Sequence, residues 1–356
     1  LLVAAQSYPA GLPPVARDAV DSRHHEKFKN RFAVPPVPPP IEYSKPGRWT
    51  PDAPACAVAV GNFDGVHVGH AAIVRRLVET ADRFGAPAVV LTFDPSPAAI
   101  IRPESAPVPL TTPRRRAELL LALGVDAVCV QPADAALVAI EAEDFFSEIL
   151  RGRMRALALV EGLDFRFGAR RRGDIDLLQS LCRGDGISLE TVAPVQHEGE
   201  SVSSSRLRRL IAAGEVRAAR AMLTAAYRLT GTVVEGARRG RTIGFPTANL
   251  GSVATLLPAN GVYAARAAVA GRSDSWPAAV HVGPNVSFGA TAITVEAHLV
   301  GCAENLYGAT LDVDFIDRLR DTRPFASIED LKAQLARDVA EAVEIARNAD
   351  SPERTT

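Results

Sequence analysis

The sequence predicts an α/β unit built on a parallel sheet, followed by a small antiparallel β-barrel with a C-terminal helix. Three observations carry that prediction. Between residues 56 and 192, short runs that are apolar on both faces alternate with helical patterns, as in a sheet covered on both sides. After Tyr227 the texture changes to short β-like runs parted by glycine and proline turns. One long helical pattern, about 327–346, closes the second region.

Residues 1–54 stand outside both units. They hold 11 of the 26 prolines, including the run PPVPPP at 35–40. Proline fixes φ and removes a backbone donor, so neither helix nor central strand is expected there. The segment reads as a proline-rich disordered extension or as an upstream stretch included by mistake. Its opening, LLVAA, lacks the basic flank and long apolar core of a secretory signal.

The first domain is placed at 55–225, with strands at 56–60, 88–93, 125–130, 156–160 and 187–192. Helices are expected at 70–83, 112–123, 142–151 and 174–183. In such sheets ligands sit beyond the carboxyl ends of the strands, which gathers 61–70, 93–97 and 162–168 at one edge. The second domain is placed at 226–350, with strands at 229–234, 262–269, 278–282 and 294–300. Alternation in the last of these puts Thr294, Glu296 and His298 on one face and Val295, Ala297 and Leu299 on the other.

Bulk properties narrow the function classes. A formal net charge of -1 gives no general attraction to nucleic acid or to anionic membranes. The four cysteines, Cys56, Cys129, Cys182 and Cys302, lie too far apart for a zinc motif and read as core residues in a reducing compartment. No apolar run reaches the ~18 residues of a membrane span. A cytoplasmic enzyme, with no nucleic-acid or membrane partner, fits; homo-oligomerisation is left open.

Three motifs carry chemistry. GNFDGVHVGH, residues 61–70, joins a strand to a helix start, where free N–H groups and the positive helix end attract an anion. Within it Gly61, Phe63, Asp64, Gly65 and Gly69 are read as nucleotide-binding, Gly65 and Gly69 allowing close backbone approach, and His67 and His70 add movable charge. The serines Ser203, Ser204 and Ser205 suit a helix cap or a phosphate, and Arg208 offers a fork of donors to a polyphosphate. In the second domain, GARRGRTIGFPTANL at 236–250 is a basic glycine-bearing loop followed by Thr247 and Asn249. Each has a plainer alternative: a structural histidine pair, a capped surface helix, an exposed hairpin loop.

Together these stretches resemble a known family. GNFDGVHVGH, GLDFRFG (162–168) and VSSSRLR (202–208) look like the nucleotidylyltransferase module of bacterial bifunctional riboflavin kinase/FAD synthetases. GRTIGFPTAN (240–249), GVY (261–263), TVEAHLV and LYGATLDVDFIDRLRDTRPF (306–325) are similar to the riboflavin kinase module, in the same chain order. The resemblance covers roughly 56–345. It implies an FMN adenylyltransferase domain of nucleotidylyltransferase fold followed by a riboflavin kinase barrel. Such an enzyme makes FMN from riboflavin and ATP, then FAD from FMN and ATP, with Mg²⁺ in both steps.

The resemblance also assigns roles. His67, His70 and Arg208 would be catalytic in adenylyl transfer, with Ser203, Ser204 and Ser205 at the phosphates. Asp164 and Phe165 would lie at the nucleotide and flavin pocket. Gly240, Arg241, Gly244, Pro246, Thr247 and Asn249 would hold ATP in the kinase, Thr247 and Asn249 also binding Mg²⁺. Glu296 would be the general base toward the riboflavin 5′-hydroxyl.

Two departures from the family pattern stand out. Ser96 occupies a position usually held by His, which predicts altered adenylylation. Residues 281–288 lack the usual proline at position 286, which predicts a reshaped flavin-side loop. The rival readings are a chain in which only the kinase module is fully active, and an inactive nucleotide- or RNA-binding regulator drawing on Arg170-Arg171-Arg172.

Overall fold

Residues 41–44, 55–236, 239–284 and 292–349 are described by the structure, a computed structural model. Its first layer grows from valine- and alanine-rich runs. Strand β1 is Ile41–Ser44, β2 Cys56–Val60, β3 Ala88–Asp94, β4 Ala127–Pro132, β5 Ala156–Gly162 and β6 Ser188–Val192. They form one sheet in the order β1-β4-β3-β2-β5-β6. Strands β2 to β6 pair in parallel, and β1 runs antiparallel along β4 at the edge. All five residues of β2 are buried, as a strand covered on both faces requires. The sheet thus takes in four residues upstream of 55. An edge is where a proline-flanked strand is tolerated.

The strand order reverses at β2. From there the chain moves to β3 on one side, while β5 lies on the other, so the crevice between the carboxyl ends of β2 and β5 is the topological switch point. GNFDGVHVGH leaves β2 there, and GLDFRFG begins at the last residue of β5. The expected helices are present at Val68–Phe84, Pro113–Ala122 and Ile175–Asp185. The fourth differs: one α-turn, Ala142–Asp144, widens into a π-helix over Phe145–Arg153, with Met154 N donating to Ile149 O at 2.8 Å. That wider coil keeps Phe145, Phe146, Ile149 and Leu150 all buried.

The second layer is a closed antiparallel barrel. Its strands are β9 Tyr227–Val234, β10 Ala248–Gly251, β11 Gly261–Val269, β12 Trp276–Pro284, β13 Ile293–Leu299 and β14 Thr310–Arg320; a small ribbon, β7 Gln196–His197 with β8 Glu200–Ser201, precedes them. They close in the order β10-β13-β12-β11-β14-β9. Alternation fills the interior: Val295, Ala297 and Leu299 are buried while Thr294, Glu296 and His298 face outward. Two strands escape the sequence pattern. β10 is four residues long, and β14 interleaves Asp312, Asp314 and Asp317 with its inward Leu311, Val313 and Phe315. The terminal helix, Ile328–Asn348, is capped by the Ser327 hydroxyl and packs on β11, β12 and β14, where its buried Asp338 pairs with Arg320 at 2.7 Å.

The two layers share a core. Leu207, Ile211, Val216, Ala219 and Met222 pack with the barrel residues Tyr227, Tyr263 and Phe315 in one buried cluster. Val68 N donates to Met222 O at 2.9 Å, and the Thr224 hydroxyl donates to Val66 O at 2.6 Å. Leu256 N of the barrel donates to Pro109 O at 2.9 Å. No helix among the described residues is long and apolar enough to cross a membrane.

Candidate active sites

The turn after β2 is tightly wound. Phe63, Gly65 and Val66 all have positive φ, and Val66, at 41°, is β-branched. Such a residue holds that conformation only where its surroundings enforce it. Here they do. Val66 is buried, and its carbonyl is gripped by Thr224. Gly65, φ 84°, leaves room for Leu110, whose Cδ1 would lie 2.9 Å from an added Cβ.

The turn delivers His67 to the N-cap of helix Val68–Phe84, where its Nδ1 accepts from His70 N at 3.3 Å. The two imidazoles stack, centroids 3.6 Å apart and 16° from parallel, and Phe63 leans on His70 at 5.1 Å. A Cβ at Gly69 would lie 3.0 Å from His67 Nδ1, so this glycine makes room for the ring. Burial is the main reason the His67 pKa is lowered to about 4, partly offset by Asp64. His70 is pushed well below its usual value by burial, then by His67 and Arg116. Both rings are therefore neutral at pH 7, which the stack requires, since two cations at this separation would repel.

Asp64 was expected at the nucleotide, and the structure gives its carboxylate another use. It accepts from Leu110 N at 2.9 Å, Thr111 N at 2.9 Å and the Thr111 hydroxyl at 2.9 Å, and pairs with the Arg208 guanidinium. Arg116 lies 3.9 Å away. Arg208 is also held by Val108 O at 2.8 Å. Ser203 caps helix Ser204–Ala212 by accepting from Arg206 N, the Ser204 hydroxyl donates to Asp64 O at 2.8 Å, and Ser205 is exposed. Thus 61–70 and 203–208 meet at one carboxylate.

Across the switch point, Asp164 is exposed, and Phe165 stacks on Phe167 with centroids 5.5 Å apart. Gly61 follows β2 directly, its N–H on Leu91 O at 3.0 Å. Ser96 caps the short helix Pro97–Ile101 without a side-chain hydrogen bond. Arg170, Arg171 and Arg172 are exposed on the turn after Gly168.

The second site lies on the barrel wall. A cleft of about 440 Å³ is lined by Arg241, Pro246, Thr247, Asn249, Asn305 and Tyr307, among others. Asn249 of β10 stands opposite Glu296 of β13. The Thr247 hydroxyl approaches Glu296 Oε2 at 3.4 Å, and the Thr294 hydroxyl approaches Oε1 at 3.3 Å. Gly240 O accepts from Phe245 N at 2.8 Å, and Gly244 turns the chain with φ 92°. His281 stands opposite Glu296 on the other neighbouring strand, its pKa lowered by burial and partly restored by Glu296. Ala237, Arg238 and the loop residues 285–288, where the reshaped flavin-side loop was expected, lie outside the described residues.

Family models match both halves in this order. One described as FAD synthetase covers residues 50–206, and one described as riboflavin kinase covers 223–346. The bifunctional riboflavin kinase/FMN adenylyltransferase of Escherichia coli (strain K12) is 35% identical over 283 residues, 80% of this chain and 90% of that protein. The chain belongs to the bifunctional riboflavin kinase/FMN adenylyltransferase family. The family member from Pseudomonas fluorescens is 36% identical, covering 82% of this chain and 93% of its own. The fold also matches the crystal structure of a protein named macrolide-efflux protein from Streptococcus pneumoniae. The TM-score is 0.73 at 32% identity, over 85% of this chain and 97% of that one.

Two buried polar residues beside the switch point of this riboflavin kinase/FMN adenylyltransferase family member escaped sequence reasoning. Arg116 is buried, donating to the Thr92 hydroxyl at 3.0 Å and Phe93 O at 2.9 Å. Its position on the inward face of helix Pro113–Ala122, with Ala117 and Leu120, was the available signal. Glu161 sits at the end of β5, buried, with Oε1 accepting from Val60 N at 2.8 Å. Burial pushes its pKa up, partly offset by the Val60 N–H, and its hydrogen bond ties β2 to β5 at the switch point. A charged residue inside an apolar strand was its only mark.

Proposed function

We propose that the two reactions are divided between the layers, with His67, His70, Ser204 and Arg208 serving adenylyl transfer and Thr247, Asn249 and Glu296 serving phosphorylation. The chain phosphorylates riboflavin with ATP to give FMN, then joins AMP from ATP to FMN, releasing pyrophosphate and giving FAD. The observation that carries the division is that each residue set, scattered in sequence, converges on its own wall of the fold. The adenylyl domain is taken as 55–225, with edge strand β1 added from upstream, and the kinase domain as 226–350.

In the adenylyl site the FMN phosphate attacks the ATP α-phosphate in line with the departing pyrophosphate. His67, His70 and the N–H groups opening helix Val68–Phe84 meet the charge that develops, without a covalent enzyme intermediate. Arg208 reaches a phosphate by exchanging part of its hold on Asp64. On the barrel, Glu296 orients the riboflavin 5′-hydroxyl and takes its proton late, as the oxygen attacks the ATP γ-phosphate.

Thr247, Asn249 and Glu296 offer hydroxyl, amide and carboxylate oxygens, the hard donors that suit Mg²⁺. Among the described residues no three His, Cys, Asp or Glu side chains form a cage, and Mg²⁺ typically fills its remaining positions with phosphate and water. When bound, it supplies charge neutralisation at the ATP phosphates. Thr247 and Asn249 would hold it. The four free thiols, three of them buried, suit the cytoplasm.

A time course with riboflavin, ATP and Mg²⁺, separating the three flavins by chromatography, tests this reading. FMN should rise first and then fall as FAD forms. FMN that accumulates without FAD removes the second activity and leaves a kinase, the outcome Ser96 would explain.

A further inference from the structure

The turn before β10 is contacted by a residue to which no role has been given so far. Thr247 must present its hydroxyl in a fixed direction if it is to meet ATP. Among the described residues its side-chain hydrogen bond to the barrel wall, to Glu296 at 3.4 Å, is long and therefore weak. Something else must fix the turn.

His298 lies two residues beyond Glu296 on β13, on the same outward face. Its Nδ1 is 2.7 Å from the carbonyl oxygen of Pro246. A carbonyl oxygen only accepts, so Nδ1 carries the proton, and the tautomer is set. The ring also meets Phe245 edge-on at 5.6 Å and 67°. Because the peptide is planar, fixing the Pro246 oxygen fixes the plane that ends in the Thr247 N–H and Cα. Pro246 adds a locked φ on the other side. The 2.7 Å contact thus decides where Thr247 points.

We propose that His298 is a positioning residue for riboflavin phosphorylation, clamping the Pro246–Thr247 peptide so that Thr247 and Asn249 face the ATP phosphates. One strand then carries both the base and the clamp, which keeps the nucleotide turn in register with Glu296 when the cleft fills. This inference rests on Thr247 and Asn249 serving ATP.

Steady-state FMN formation, with ATP and riboflavin varied separately, tests it in the full-length protein. His298→Ala should raise the KM for ATP about tenfold or more, with the KM for riboflavin within about twofold. His298→Asn places an amide N–H where Nδ1 stood and should recover most of the loss. His298→Phe keeps the ring against Phe245 without the donor and should behave like His298→Ala. FAD formation from supplied FMN, carried by the other layer, should be unchanged in all three and reports a folded chain.

The clamp is overturned if His298→Ala leaves the ATP KM unaltered, if His298→Phe matches the parent protein, or if both KM values rise together. Thr247→Ala, run in parallel, separates the two levels of the argument. If it leaves FMN formation intact, the ATP-binding reading of the turn falls, and the clamp with it. If it is defective while His298→Ala is not, only the clamp falls.

Discussion

The two phosphate sites of this chain are built in opposite ways. The adenylyl turn follows a buried strand, with a strained backbone, stacked neutral histidines and an aspartate that accepts three hydrogen bonds from Leu110 and Thr111. The kinase site lies at a cleft of the barrel lined by Thr247 and Asn249, and the hydroxyl contacts that neighbouring Glu296 receives among the described residues, from Thr247 and Thr294, are long. The first is held together by pairs within the chain, such as Arg208 with Asp64. The second has few such pairs around Glu296 among the described residues. Damage should accordingly register as lost stability in the first site and as lost rate in the second.

The largest effect that would sharpen this contrast is expected at Asp64. Asp64→Asn leaves Arg208 and Arg116 without their carboxylate in a buried setting, a loss of about 3 kcal/mol or more in urea unfolding. FAD formation should fall with it. An Asp64→Asn protein of unchanged stability would break the comparison.

Acid comes next. His67 titrates near 4 when folded and near 6.5 when unfolded. Above 6.5 both states are neutral and nothing is lost. Between 6.5 and 4 the unfolded chain takes a proton that the folded one refuses, so stability falls as pH falls, by about 3 kcal/mol in all. His67→Asn, which keeps a capping side chain, should flatten that portion of a stability–pH curve.

Matched catalytic substitutions follow. His70→Ala should slow FAD formation about a hundredfold with FMN formation unchanged. Glu296→Gln should slow FMN formation by about ten- to a hundredfold with unfolding stability within about 0.5 kcal/mol of the parent. Equal losses in both reactions from either change would remove the division of labour. The smallest effect is at Ser96, where Ser96→His should raise the rate of FAD formation by about threefold. A rate that does not move would make the serine neutral.

Much of this was legible in the sequence, because periodicity reports burial. The parallel strands, the outward face of Thr294, Glu296 and His298, and the glycine turn at the helix start follow from spacing alone. What was hidden depends on closure. Asp64 finds partners 46 and 47 residues away at Leu110 and Thr111, and another 144 residues away at Arg208. No local pattern announces such a hub. That Gly69 leaves room for the His67 ring was equally hidden. Strand β14 was masked by the aspartates on its outer face, and β10 is too short to show a period.

One junction bears on how the molecule could be taken apart. The family matches stop at 206 and resume at 223, as if the intervening residues were a tether. Yet Leu207, Ile211, Val216, Ala219 and Met222 are all buried in the cluster common to both layers, and Met222 and Thr224 bond to the backbone on either side of His67. Scissors placed at either border would remove part of the floor beneath the histidines. A fragment meant to isolate FAD formation would need to run past Thr224, and even then would bare an apolar seam that the barrel normally seals.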